Sequence, residues 1–216
     1  MKALIVQGGW EGHEPKPVAG IIAKALRGEG FDVEVSDTLD SFSDVEKLKA
    51  LDLIVPIWTM ATREEGQKVR PVLEAVRSGV GIAGCHGGMG DAFREETEYQ
   101  FMVGGQWVAH PGGDGVEYTV HIEHEASPIT EGLTDFTVSS ELYYMHVDPG
   151  NRVLATTQYA GVTAPVAWTK MYGKGRVFYC SLGHVAQVFD QDPQILTMLT
   201  RGMVWAAEGK GEAGGQ

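Results

Sequence analysis

The chain has 216 residues, with 17 Lys and Arg against 29 Asp and Glu, a net charge of −12, and two cysteines. The length favours one sizeable domain; the charge, with no Lys/Arg cluster, excludes nucleic acid and membrane surfaces as expected partners; two cysteines are too few for a disulfide scaffold. The 29 glycines follow no Gly-X-Y period, so collagen is excluded too.

The start, MKALIVQGGW, has too short an apolar run for a signal peptide, and a soluble, cytoplasmic protein is expected. Residues 2–7, KALIVQ, read as a buried first strand closed by Gly8-Gly9. Val18, Ile21, Ile22, Ala25 and Leu26 then fall on one helical face, which Gly28 and Gly30 end. FDVEVSD is a second strand, Ser43-Asp44-Val45-Glu46 a capping box opening a short helix, and LDLIVPIW a third strand. Thr62 caps a helix with Glu64 and Glu65 in its first turn; Val69, Val72, Leu73 and Val76 form its inner face and Gly79 stops it. VGIAG is a fourth strand. This β-α-β-α-β-α-β order predicts a parallel sheet with helices on both faces.

Beyond it, residues 93–103 are expected to be helical, and GVEYTVHIEH, RVLATTQY, APVAWTK and GRVFYCSL to be strands, several of them antiparallel neighbours. A last helix starts at Asp192-Pro193 and buries Ile195, Leu196, Leu199 and Met203. The expected fold is therefore a single-domain, three-layer α/β/α arrangement over residues 1–208. Its sheet is mostly parallel with an antiparallel extension, and residues 209–216 are a disordered tail.

Ligands of open α/β sheets bind beyond the carboxyl ends of the strands. Here those ends carry Gln7-Gly8-Gly9-Trp10, Pro56-Ile57-Trp58 and Gly84-Cys85-His86, which makes His13, Trp58 and His86 candidate neighbours. Gly84-Cys85-His86-Gly87-Gly88 has the Gly-X-Nuc-X-Gly pattern of a nucleophile elbow, but with His86 at the apex and Cys85 turned into the sheet. Gly79, Gly81 and Gly84 also fit G-x-G-x-x-G, yet within a strand rather than after one, which argues against a dinucleotide. His13, His86, His110, His146 and His184 all fall in predicted loops, where several can converge. His121 and His124 sit on opposite faces of one strand and do not make a joint metal site.

Taken in order, G-G-W-x-x-H at 8–13, G-I-A-G-C-H-G-G at 81–88, F-x-x-x-x-x-Y at 93–99, G-G-Q-W-V-A-H-P at 104–111, E-L-Y at 141–143 and G-K-G-R-V-F-Y-C-S-L-G-H at 173–184 form one set. Over about residues 2–206 this set resembles the ThuA-like, or trehalose-utilisation, family. The resemblance implies a fold similar to the flavodoxin-like class I glutamine amidotransferases. The chain departs from those enzymes at two points: His86 replaces the elbow cysteine, and Val185-Ala186 follows His184 where a His-x-Glu pair would stand.

The resemblance also implies carbohydrate metabolism, on a sugar, disaccharide or keto-sugar, beside a sugar dehydrogenase partner. It maps recurring residues onto His86, His110, Glu141 and His184, with His13 as a fifth. Imidazoles with a carboxylate suit acid–base catalysis of a hydrolase, lyase or isomerase reaction. The expected catalytic residues are His86, His184 and Glu141, and the expected substrate-binding residues His13, Trp58, His110 and His146. A divalent metal such as zinc on His86, His110, Glu141 and His184 is a variant of this reading. Two alternatives stay open: a non-catalytic sugar-binding partner of a dehydrogenase, and a glutamine amidotransferase-like enzyme using Cys85. A homodimer formed by stacked sheets is compatible with all three.

Overall fold

The computed structural model describes residues 1–123 and 127–212. Strand β1 (Lys2–Gly9) shows why the sheet is central: Ala3 and Ile5 enter one core, Leu4 and Val6 the other, and all four are buried. A continuous apolar run is what a parallel strand covered on both faces requires. Next come α1 (Pro15–Gly28), β2 (Asp32–Ser36), α2 (Val45–Lys49), β3 (Leu53–Thr59), α3 (Arg63–Gly66), α4 (Arg70–Ser78), β4 (Gly81–Cys85) and α5 (His86–Gly90). Then follow α6 (Thr97–Val103), β5 (Gly105–Ala109), β6 (Val116–Ile122), β7 (Phe136–Ser140), β8 (Tyr144–Val147), β9 (Arg152–Tyr159), β10 (Val162–Tyr172), β11 (Gly175–Cys180) and α7 (Pro193–Glu212).

The main sheet has the order β2-β1-β3-β4-β11-β10-β9-β6-β7. Its first five strands pair in parallel, and β10, β9, β6 and β7 extend it antiparallel. The parallel part has the doubly wound order 2-1-3-4-5 once β11 is counted fifth, so the expected fold is the observed one. Apolar residues of α1 and α7 cover one face; those of α2, α4 and α6 cover the other. β5 and β8 form a separate two-stranded ribbon. Among the described residues no helix is long and apolar enough to cross a membrane.

Four local expectations differ from what is seen. The helix after Thr62 is broken: a Thr62/Glu65 capping box starts α3, a 3-10 turn at Gln67–Val69 follows, and α4 restarts with Pro71 in its first turn. Pro71 has no N–H to give the carbonyl four residues back, so one continuous helix cannot form there. The cap of α2 is Asp44, whose Oδ1 accepts from the amides of Glu46 and Lys47 at 3.1 Å; Ser43 instead donates to Asp40 O. The helix expected over residues 93–103 begins only at Thr97. Helix α7 runs to Glu212, four residues into the expected tail. His124 lies outside the described residues.

Candidate functional site

Four carboxyl-terminal strand ends deliver side chains to one point. His13 closes a 3-10 turn just after β1, His86 begins α5 directly after β4, and His184 follows β11; Glu141 comes from the segment between β7 and β8. All four are buried. One ligand atom from each lies within 4.8 Å of the others. Glu141 is the hub: its Oε2 is 3.1 Å from His86 Nε2 and 3.8 Å from His13 Nε2, and its Oε1 is 3.8 Å from His184 Nε2.

The opposite ring nitrogens are held from behind. His86 Nδ1 is 2.7 Å from the carbonyl of Ser181, His184 Nδ1 is 3.2 Å from Asp114 Oδ1, and His13 Nδ1 is 2.8 Å from Thr59 Oγ1. A carbonyl and a carboxylate only accept, so His86 and His184 donate Nδ1–H and turn Nε2 towards Glu141. Burial keeps His86 neutral, with its pKa pushed down to about 4. Burial alone would raise the Glu141 carboxyl, but the imidazoles around it, led by His13, outweigh it and hold it well below the usual carboxylate range. A neutral His86 has a single proton, and the shorter contact takes it to Ser181. Its Nε2 lone pair is then aimed at a carboxylate oxygen 3.1 Å away.

Such a donor set fits a cation. Two ligands on one ion stand no farther apart than twice a bond of roughly 2.0–2.2 Å. The 3.1 Å and 3.8 Å separations lie inside that limit, and the widest, 4.8 Å, needs only a small side-chain shift.

The elbow geometry explains how His86 gets there. Its φ is +45°, a left-handed backbone that few non-glycine residues adopt, and it turns β4 sharply into α5. Tyr143 stacks on the imidazole at 3.8 Å between ring centroids, and burial keeps its phenol protonated far above the ordinary range. Cys85 points the other way, into the core shared with α1 and α7; burial pushes its thiol far up. A buried thiol with a raised pKa is no nucleophile, so Cys85 is a packing residue and the amidotransferase alternative loses its catalytic group.

The remaining expected residues divide. His110, at the start of the loop after β5, is half exposed with Nδ1 3.9 Å from Glu141 Oε1, at the rim rather than in the four-residue set; His13 takes the inner place expected for His110. Trp58 is not in the site. Side chains alternate along β3, so Thr59 faces His13 while Trp58 turns to the opposite side, against Gly8, where a Cβ would stand 2.5 Å from the indole. His146 is excluded for the same reason: Met145 points inward from β8, and His146 is exposed opposite Gln106. Residues not anticipated are Thr59, Asp114 and the Ser181 carbonyl behind the imidazoles; Trp10, Asp91, Arg94 and Trp107 line a cavity of about 200 Å³ over the cluster. Asp114 had one readable signal, the His110-Pro111-Gly112-Gly113-Asp114-Gly115 run that carries it back beside His110. A larger open groove, about 710 Å³, lies by Glu123, Glu131 and Asp135 and includes none of the four cluster residues. Donor chemistry, not volume, selects the site.

The sequence profile of the ThuA family, described as trehalose utilisation, matches residues 2–206. The fold is similar to a ThuA-like protein from Parabacteroides merdae, at 22% identity and a TM-score of 0.76, covering 97% of this chain and 90% of that one. A ThuA-like protein from Bacteroides uniformis is similar at 20% identity and TM-score 0.78, covering 95% and 91%. A cytoplasmic protein from Salmonella typhimurium is similar at 14% identity and TM-score 0.70, covering 97% and 98%. No curated protein matches the chain. At these identities the structural likenesses are of fold.

Proposed function

This chain belongs to the ThuA, trehalose-utilisation, family, and from that premise we propose that it is a carbohydrate-processing enzyme built on a divalent metal held by His13, His86, Glu141 and His184. The family supports a carbohydrate-related role; the metal and the chemistry are our reading. One observation carries it: the Nε2 of a buried, neutral His86 faces the Glu141 carboxylate at 3.1 Å, a repulsive pairing that a cation between them makes attractive. Three imidazoles and one carboxylate suit zinc or iron.

A metal here supplies Lewis acidity towards a sugar carbonyl or a water. The chain's own residues do the rest. With the Nε2 atoms of His86 and His184 committed to the centre, His110 is the proton carrier, because it is half exposed at the cavity rim. Tyr143 fixes the plane of His86 and keeps a phenolic proton inside the cavity. This suits proton removal beside a sugar carbonyl, or hydrolysis of a glycosidic bond, on a disaccharide or keto-sugar supplied by a partner sugar dehydrogenase. Cytoplasmic residence belongs to the same reading, supported by the description of the similar Salmonella protein.

The test is elemental analysis of untagged protein, with turnover of trehalose and its keto derivatives followed on the same sample. Wild type is expected to retain stoichiometric divalent metal, and Glu141→Gln to lose it together with turnover. Metal-free wild type that takes up neither zinc nor iron on titration overturns the metal centre. Sugar binding without turnover in the metal-loaded protein makes it a binding partner instead of an enzyme.

A further inference from the structure

The mouth of the cavity has features that the imidazole cluster does not use. Trp10 is 48% exposed, a high value for an indole. One face of its ring lies on Gly12, and its ring meets His13 edge-on at 4.8 Å between centroids. Arg94 lines the same cavity, with its Cζ 4.4 Å from the centre of the Trp107 ring. Asp91, buried beneath it, takes Nε at 2.5 Å and Nη2 at 2.7 Å. Stacking and a two-pronged carboxylate fix the guanidinium plane. Nη1 has no hydrogen-bond partner among the described residues.

An immobilised donor edge and an open indole in one cavity are the pair of features that a sugar ring presents in complement. The ring's hydroxyls need planar donors and acceptors, and its C–H face needs an aromatic surface. Charge narrows the ligand further. The guanidinium is already neutralised by Asp91, and the Glu141 carboxylate lines the same cavity, so Arg94 is suited to hydroxyls more than to an anion. Size narrows it again: about 200 Å³ is under the roughly 300 Å³ at which drug-sized pockets begin, so the cavity encloses one ring.

We propose that Trp10 and the Asp91–Arg94 pair form a recognition subsite for a single uncharged pyranose ring, made of side chains other than the four metal-binding ones and adjoining them at His13. The indole stacks on the ring's C–H face and Arg94 Nη1 donates to its hydroxyls. This rests on the reading of the site as sugar-acting, but it assigns recognition to residues that reading does not require.

Calorimetric titration of as-purified protein with methyl α-glucoside, trehalose and glucose 6-phosphate tests it, with metal content measured on the same samples. Trp10→Ala should weaken glucoside binding roughly tenfold and Trp10→Phe much less, the scale of one aromatic contact. Arg94→Lys should also weaken it, because an ammonium lacks the planar fork that grips Asp91 with one edge and holds a fixed donor for a hydroxyl on the other. Unchanged glucoside affinity in both Trp10→Ala and Arg94→Lys overturns the subsite. So does an Arg94→Ala protein that loses glucose 6-phosphate but keeps the glucoside, since Arg94 would then read anions. A wild type that holds metal yet binds no sugar sinks the subsite and leaves the metal centre standing; one that binds sugar through Trp10 without metal does the reverse.

Discussion

His184 shows what a single residue contributes beyond its own ligand atom. Its Nε2 reaches the cluster because Asp114, on an exposed loop, holds Nδ1 at 3.2 Å. Carboxylates behind metal-binding imidazoles set tautomer and orientation, and their loss typically costs 10–100-fold in affinity. Asp114→Ala should therefore weaken zinc binding by about 10–100-fold, read by competition with a chromogenic chelator. Asp114→Asn, which keeps an accepting Oδ1, should lose less; equal affinity in wild type and Asp114→Ala would show that His184 orients itself. At this scale the sequence was half legible. His86, Glu141 and His184, marked by an elbow and two ordered motifs, do come together in one cluster. Trp58 and His146 stand away from the cluster, as strand parity implies, because Thr59 and Met145 take the inward positions. The exchange of His13 for His110 was not legible, since it depends on how two loops from distant strands meet over Glu141.

Among the elements, β4 and α5 decide the site, because the turn between them sets His86 at φ +45° and leaves no space behind it. A Cβ on Gly87 would stand 2.5 Å from His13 Nδ1 and 2.8 Å from the Tyr143 hydroxyl. A Cβ on Gly88 would stand 2.9 Å from Ile57 Cα, in the neighbouring strand. Both substitutions overpack, at a cost of about 1–3 kcal/mol, but they strike different things. Gly87→Ala should displace His13 and impair metal uptake; Gly88→Ala should lower the melting temperature with metal uptake largely kept. Thermal melting beside zinc titration separates them, and normal zinc affinity in Gly87→Ala would remove His13 from the centre. The elements themselves were legible wherever one physical signal ruled. β1, β3 and β4 are apolar runs buried on both faces, and α1 has a clear inner stripe. The reading failed at Pro71, where the apolar spacing continues through a residue that cannot continue a helix. It also missed β5 and β7, strands of only five residues, too short for their alternation to stand out.

At the scale of the molecule, the doubly wound sheet buries a charge centre that folding must keep in one protonation state. The direction follows from His86. Unfolded, its imidazole takes up a proton near pH 6.5; folded, burial delays that until about pH 4. Between these values the unfolded chain binds the extra proton, so stability is full above pH 6.5, falls on acidification, and levels off below about 4. At about 1.4 kcal/mol per pH unit the loss from this residue is about 3 kcal/mol. Glu141 acts lower: its depressed carboxyl stabilises the fold above the ordinary carboxylate range, and that contribution disappears only as pH falls further. The net charge of −12 works in the opposite sense, since protonating surface acids relieves self-repulsion. Comparison with His86→Gln removes that shared background. In chelator-treated protein, urea unfolding from pH 7 to pH 4 should destabilise wild type by about 3 kcal/mol more than His86→Gln, with the gap opening near pH 6.5. Parallel curves would mean that His86 is already charged beside Glu141. The repulsion that calls for a metal would then be absent, and the four residues would be an ion-paired acid–base cluster.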